Sequence, residues 1–381
     1  MRFFLNLIFL FISIFTFSSC KNESDKSTDA NVLPNDSVEI KYAKGFEIEN
    51  FEGYKVMTLK TAWPGTEKTF KYALIEKNGS LPSGDFDAIV EIPVKRIVVT
   101  STTHIPSLEM LGVADALIGF PNLDFISSEI TRKNIEEGKI RELGRNEDIN
   151  TEILIDLVPD LVVGFAVDGN NSTFRIIEKT GIPVLYNSDW TENSPLGKGE
   201  WIKFFGVLFN KEKEADSIFK NIEAAYLKAK KQASTATHTP TVISGAMYRD
   251  VWYLPQGESW GAQFIADANG SYIWKDSKGT GSLSLNLESV LEKGHEAEVW
   301  IGPGQFTSLD EIKNASQAYT RFKAFQNGNV YTYSMKKGVT GGVIYFESAP
   351  NRPDLVLLDH IKMLHPELLP DYELHFFDKL Q

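Results

Sequence analysis

The spacing of apolar and polar positions divides this chain into stretches of different kinds. Residues 3–17 (FFLNLIFLFISIFTF) are apolar throughout except for Asn6, Ser13 and Thr16. That run is shorter than the ~20 residues a membrane-spanning helix needs, and it fits the core of a leader peptide. Residues 21–37 (KNESDKSTDANVLPNDS) carry almost no large apolar side chains and cannot bury enough surface to fold, so they read as a tether. Runs with a period of two follow, at 54–59 (YKVMTL) and 70–75 (FKYALI), with the turn pairs Pro64-Gly65 and Asn78-Gly79 nearby. They predict a small antiparallel element within 38–90.

Beyond residue 95 the pattern changes. Apolar strand-like runs at 96–99, 117–120, 160–163 and 183–186 alternate with helical patterns, and the same texture resumes at 241–243, 299–301 and 330–333. Strands buried on both faces and separated by helices predict parallel α/β sheets. Between the two blocks, residues 211–232 contain no Gly or Pro, and Ala215, Ile218, Ile222, Ala225, Tyr226 and Ala229 fall at helical spacing. A helix of that length reaches ~33 Å, enough to join two lobes. The expected fold class is therefore α/β, with two Rossmann-like lobes built on mostly parallel sheets, one long rigid helix between them and a β-rich N-terminal extension. The expected divisions are a leader at 1–19, a tether at 20–37, the extension at 38–90, an N-terminal lobe at 91–205, the connecting helix at 206–236 and a C-terminal lobe at 237–381.

Charge and composition narrow the function. There are 39 Lys and Arg against 51 Asp and Glu, a formal net charge of −12. An acidic chain without a dense basic stripe is a poor partner for nucleic acid. A single cysteine excludes an intrachain disulfide, a Cys-rich zinc site and a Cys-ligated iron–sulfur cluster. That residue, Cys20, directly follows Ser18-Ser19 at the end of the apolar run, which resembles a bacterial lipobox, so Cys20 is the expected site of lipidation. Gly257-Glu258-Ser259-Trp260-Gly261 matches the nucleophile-elbow pattern G-x-S-x-G, which would make the chain a serine hydrolase acting through Ser259. Pro255-Gln256 loosens the approach to that motif, and Ser259 is better read as the N-cap of a helix beginning at Trp260. A zinc or manganese receptor is a further alternative. However, most of the histidines lie in the C-terminal third, and no His/acid set spread over two lobes is visible.

A short pattern occurs once in each block. Asn150-Thr151-Glu152 leads through a short helix to the run at 160–163, and Asn286-Leu287-Glu288 leads likewise to 299–301. In both, Asn is a natural N-cap, and the Glu two residues later is favoured by the helix dipole. Together with Lys95-Arg96-Ile97-Val98-Val99, Leu108-Glu109-Met110-Leu111-Gly112-Val113-Ala114-Asp115, Gly181-Ile182-Pro183-Val184, Arg352-Pro353-Asp354-Leu355 and His365-Pro366-Glu367, in this order, the chain resembles the substrate-binding lipoproteins of ABC importers for siderophores, haem and cobalamin. The resemblance covers roughly 91–370 and implies the helical-backbone periplasmic binding protein fold. It also implies a non-enzymatic receptor with no resident cofactor and no metal of its own. The implied protein is a monomer held by its lipid anchor at the bacterial cell envelope, facing the periplasm or the cell surface. It would pass an iron chelate, haem or a corrinoid to an inner-membrane permease and its ATPase. Glu152 and Glu288 fall where that family pairs with permease arginines.

Ligands of open parallel sheets sit beyond the carboxyl ends of the strands. That rule nominates Thr102, His104 and Trp190 in the first lobe and Tyr248, Arg249 and Trp260 in the second. The rings would offer flat apolar faces, and Arg249 a charge for an anionic ligand. The lipobox makes a direct prediction. Cys20→Ser is expected to leave an uncleaved precursor that takes up no labelled fatty acid; labelling that persists would rule out Cys20 as the acylated residue.

Overall fold

The computed structural model describes residues 36–80, 82–169 and 171–381. The expected leader, Cys20 and most of the tether lie outside them. Among the described residues, no helix is long and apolar enough to cross a membrane.

The N-terminal extension is a five-stranded sheet of Asp36–Ser37, Phe46–Phe51, Tyr54–Leu59, Phe70–Glu76 and Ala88–Ile92 in sequential order. Its first four strands are antiparallel, as the alternating runs predict. The fifth departs from that expectation: it lies parallel to the fourth, pairing Ala73 with Ile89. A crossover rather than a hairpin therefore returns the chain to the sheet edge, since parallel neighbours cannot be joined by a tight turn.

The first lobe carries a parallel sheet in the spatial order Val184–Asn187, Leu161–Phe165, Ile97–Val99, Leu117–Phe120 and Arg141–Glu142. Ile97, Val98, Val99, Leu161, Val162 and Val163 are all fully buried, which explains their unbroken apolar runs. The second lobe repeats the plan with Ser271–Tyr272, Thr241–Ser244, Val299–Ile301, Val330–Thr332 and an antiparallel edge, Asp378–Lys379. In each sheet the first long strand lies inside, with later strands added on both sides. Strand order thus reverses at Ile97–Val99 in one lobe and at Thr241–Ser244 in the other.

The connecting helix is Glu212–Ala233, one residue displaced from the periodic stretch 211–232 and shorter than the 206–236 division, whose first residues belong to the preceding helix Ile202–Leu208. It buries Ala215, Phe219, Ile222, Tyr226, Ala229 and Ala233, while Ile218 and Ala225 sit at the edge of the buried stripe. It packs on Ile202–Leu208 and on Pro353–Leu364 of the second lobe. The Tyr226 hydroxyl donates to Asp267 at 2.6 Å, and Lys230 meets the same carboxylate at 2.7 Å.

Two enclosed carboxylates fasten the extension to the first lobe. Glu200, fully buried, accepts the backbone N–H groups of Lys41, Tyr42 and Ala43 at 2.6–3.0 Å and pairs with buried Lys203 at 2.9 Å. Glu192 accepts the N–H groups of Lys44 and Gly45 at 2.8 Å and the Trp201 indole N–H at 3.2 Å. Above them Phe46 packs on Trp201 with ring centroids 4.6 Å apart. A buried charge is tolerated only when its partners are in place. Glu200→Ala would leave three N–H donors without their acceptor, while Lys203 keeps the Glu39 carbonyl at 2.7 Å and Asp216 at 3.6 Å, and it is expected to cost about 3 kcal/mol in urea unfolding. An unchanged midpoint would mean that water already reaches these groups.

Candidate functional site

Where strand order reverses, the two sheets meet in a cleft made of two adjoining hollows. The first, of about 330 Å3, lies beyond the carboxyl ends of the first-lobe strands. Thr100–Thr102, Phe120–Asn122 and Phe165 supply it, and Phe125 and Asn146 close its sides. The second, of about 240 Å3, lies beyond the second-lobe strands, at Ser244-Gly245, Ile301-Gly302 and Tyr333. Phe346, half exposed, lines both.

Rings dominate the second hollow. Tyr333 and Tyr345 stack at 4.9 Å, Tyr345 faces Trp260 at 6.2 Å, and Phe346 stands edge-on to Tyr333 at 5.2 Å. His360 forms part of the wall, stacked on Phe264 at 5.4 Å. Complete burial lowers its pKa to about 4, so this ring is neutral at physiological pH.

The segment bearing Phe346 belongs to the second lobe but is held by the first. The Glu347 carboxylate, 2 % exposed, accepts the N–H groups of Ser127 and Ser128 at 2.6 and 2.9 Å. Ser107 donates its hydroxyl proton to the Asn351 side-chain oxygen at 2.7 Å, and the Asn351 amide donates to the Thr103 carbonyl at 2.8 Å. The approach is close enough to require glycine. A Cβ on Gly342 would stand 2.6 Å from the Phe125 carbonyl oxygen, and one on Gly338 would stand 2.7 Å from the Ser127 Cα.

Residues 97–336 match the model of the family described as periplasmic binding protein. The chain belongs to the periplasmic binding protein family. The match begins after the N-terminal sheet. An uncharacterised lipoprotein of Methanocaldococcus jannaschii is 29 % identical over 325 residues, covering 81 % of this chain and 76 % of that one. Two solved structures share the fold. A possible iron-binding periplasmic solute-binding protein of Staphylococcus epidermidis is 16 % identical, with a TM-score of 0.57 over 72 % of this chain and 99 % of its own. A periplasmic haem-binding protein of Vibrio cholerae is 16 % identical, with a TM-score of 0.53 over 69 % and 99 %.

In this periplasmic binding protein the residues nominated from sequence are dispersed. Thr102 and Trp260 line the cleft, one in each hollow. Trp190 stands behind it, donating its indole N–H to the Ala166 carbonyl at 3.2 Å and packing edge-on to Phe165. Tyr248 and Arg249 lie at the turn between Ala246–Tyr248 and Val251–Pro255 and line neither hollow. Tyr248 is 65 % exposed, and the Arg249 guanidinium lies 5.4 Å from its ring centroid. Arg249, expected to offer charge to a ligand, thus sits in a hairpin turn away from both hollows.

His104 also departs from expectation. It follows a strand end, yet its side chain is fully enclosed against Phe205, and neither ring nitrogen meets a protein partner in ordinary hydrogen-bond geometry. Burial lowers its pKa to about 4 against the opposing influence of Asp189 and Asn187. Ser259 caps Trp260–Asp267, with its Oγ accepting from Ala262 N–H and donating to the Gln256 carbonyl at 2.6 Å. Among the described residues, no three His, Cys, Asp or Glu side chains are grouped as a metal site. Phe346 and Glu347 escaped the sequence reading. Their only signal was the aromatic pair in Gly342-Val343-Ile344-Tyr345-Phe346-Glu347, which fits neither a strand nor a long helix.

Burial, with Glu109 nearby, raises the Glu347 pKa from 4.5 to about 7 against the pull of two N–H donors. The folded state then binds a proton that the unfolded chain releases between these values, so stability falls as pH rises from about 4.5 through 7. Denaturant midpoints measured across that window are expected to show this slope, and Glu347→Gln to flatten it. An unaltered slope would assign the effect to another group.

Proposed function

We propose that this protein is the substrate-binding lipoprotein of an ABC importer. It captures an iron chelate, haem or a corrinoid between its lobes and delivers it to an inner-membrane permease and its ATPase. The observation that carries this reading is the cleft itself: two hollows at the strand-order reversals of facing sheets, joined by one half-exposed ring, Phe346. Such a shape encloses a small rigid ligand from two sides and keeps the aromatic faces available to it. Membership of the family, the lipoprotein relative and the iron- and haem-binding structural neighbours support the same reading. The test is ligand-induced stabilisation. A chelate at 100 times its Kd is expected to add about 2.7 kcal/mol to the unfolding free energy. No response to siderophore, haem or corrinoid would overturn the proposal.

Glu152 and Glu288 are the docking residues in this reading. Both are exposed in the first turn of a short helix, and the caps Asn150 and Asn286 accept the N–H groups of Ile153 and Ser289 at 3.0 and 2.8 Å. Exposed acids add little to folding, about 0–1 kcal/mol, but across an interface they set orientation. Glu152→Ala/Glu288→Ala is expected to fold and bind ligand normally while failing to stimulate transport by its cognate permease. Collapse of ligand affinity would instead assign both glutamates to the cleft.

A further inference from the structure

The character of the cleft wall goes beyond its shape. Among the described residues, no Lys or Arg lines either hollow, and the carboxylate that does so is Glu147, in the first. The Asn146 side-chain oxygen, enclosed beside it, accepts no hydrogen bond from the protein, because the Asn146 amide is turned to the Thr100 carbonyl. The charge that the wall offers is therefore negative, set among aromatic faces and neutral hydroxyl, amide and indole groups. A cation, Lys198, stands behind Trp260, 5.0 Å from its ring centroid. Its ammonium is enclosed and donates to the Asp189 and Trp190 carbonyls at 3.1 and 3.0 Å, so it is turned toward backbone oxygens.

Resting on the binding-protein reading above, we infer that the cleft selects a ligand of zero or positive net charge. The ligand would be a rigid chelate or macrocycle with a broad apolar face and outward N–H or O–H donors, rather than an anionic complex. A polyanion entering here would face the Glu147 carboxylate and the Asn146 oxygen, with no Lys or Arg among the described lining residues to offset the loss of its hydration. Like charges at close quarters and acceptors opposed to acceptors both cost affinity. The acidic chain as a whole, at −12, adds the same bias at long range.

The experiment compares probes of different charge on the full chain in detergent. A neutral and a monocationic ferric trihydroxamate and cyanocobalamin stand on one side. Haemin, with its propionates, and a trianionic ferric tris-catecholate stand on the other. Quenching of tryptophan fluorescence gives each Kd. The expected result is at least about tenfold tighter binding of a neutral or cationic probe than of either anionic one. Adding salt should weaken the cationic complex, and Glu147→Gln should narrow the gap. Tight binding of haemin or the tris-catecholate, with the others weak, would overturn the inference and leave the binding-protein reading standing. Failure of every probe would overturn both.

Discussion

Much of the cleft depends on one buried carboxylate. Glu347 reaches from the second lobe to the backbone N–H groups of Ser127 and Ser128 in the first. This contact brings Gly338 and Gly342 against the chain at 125–127 and sets Phe346 between the hollows. A carboxylate without those donors would not remain in a site only 2 % exposed. Among the contacts that join the two lobes, two differ in character. One is a stiff helix carrying a continuous apolar stripe; the other is a polar seam whose strength depends on protonation.

The fold was legible because its signals are local and repeated. Ile97–Val99, Leu161–Phe165 and Thr241–Ser244 are buried on both faces, and a strand in that setting has no reason to alternate. The Glu212–Ala233 helix announces itself by its length and by the absence of glycine and proline. The parallel fifth strand of the extension was not legible, because alternation within a strand says nothing about the direction of its neighbour.

The site was only half legible, for a reason rooted in geometry. The strand-end rule located the right loops, so Thr102 and Trp260 reach the cleft. Which way a loop side chain points depends on the loop's own turns. Arg249, at φ 56°, is carried away by its hairpin, and His104 turns inward beneath Phe205. The residues that complete the cleft, Tyr345 and Phe346, lie on a five-residue helix too short to show a period and positioned by contacts more than 200 residues away in sequence.

The fastening of the extension has a consequence for how the chain is made. The backbone of residues 41–45 finds its acceptors on Glu192 and Glu200, 147 to 159 positions later. Until those glutamates emerge from the ribosome, the N-terminal segment has donors without partners and Trp201 is not yet present to cover Phe46. Contacts of such long sequence separation form late, because the intervening loop must close first. Residues 41–45 are thus among the later parts of the described chain to reach their partners.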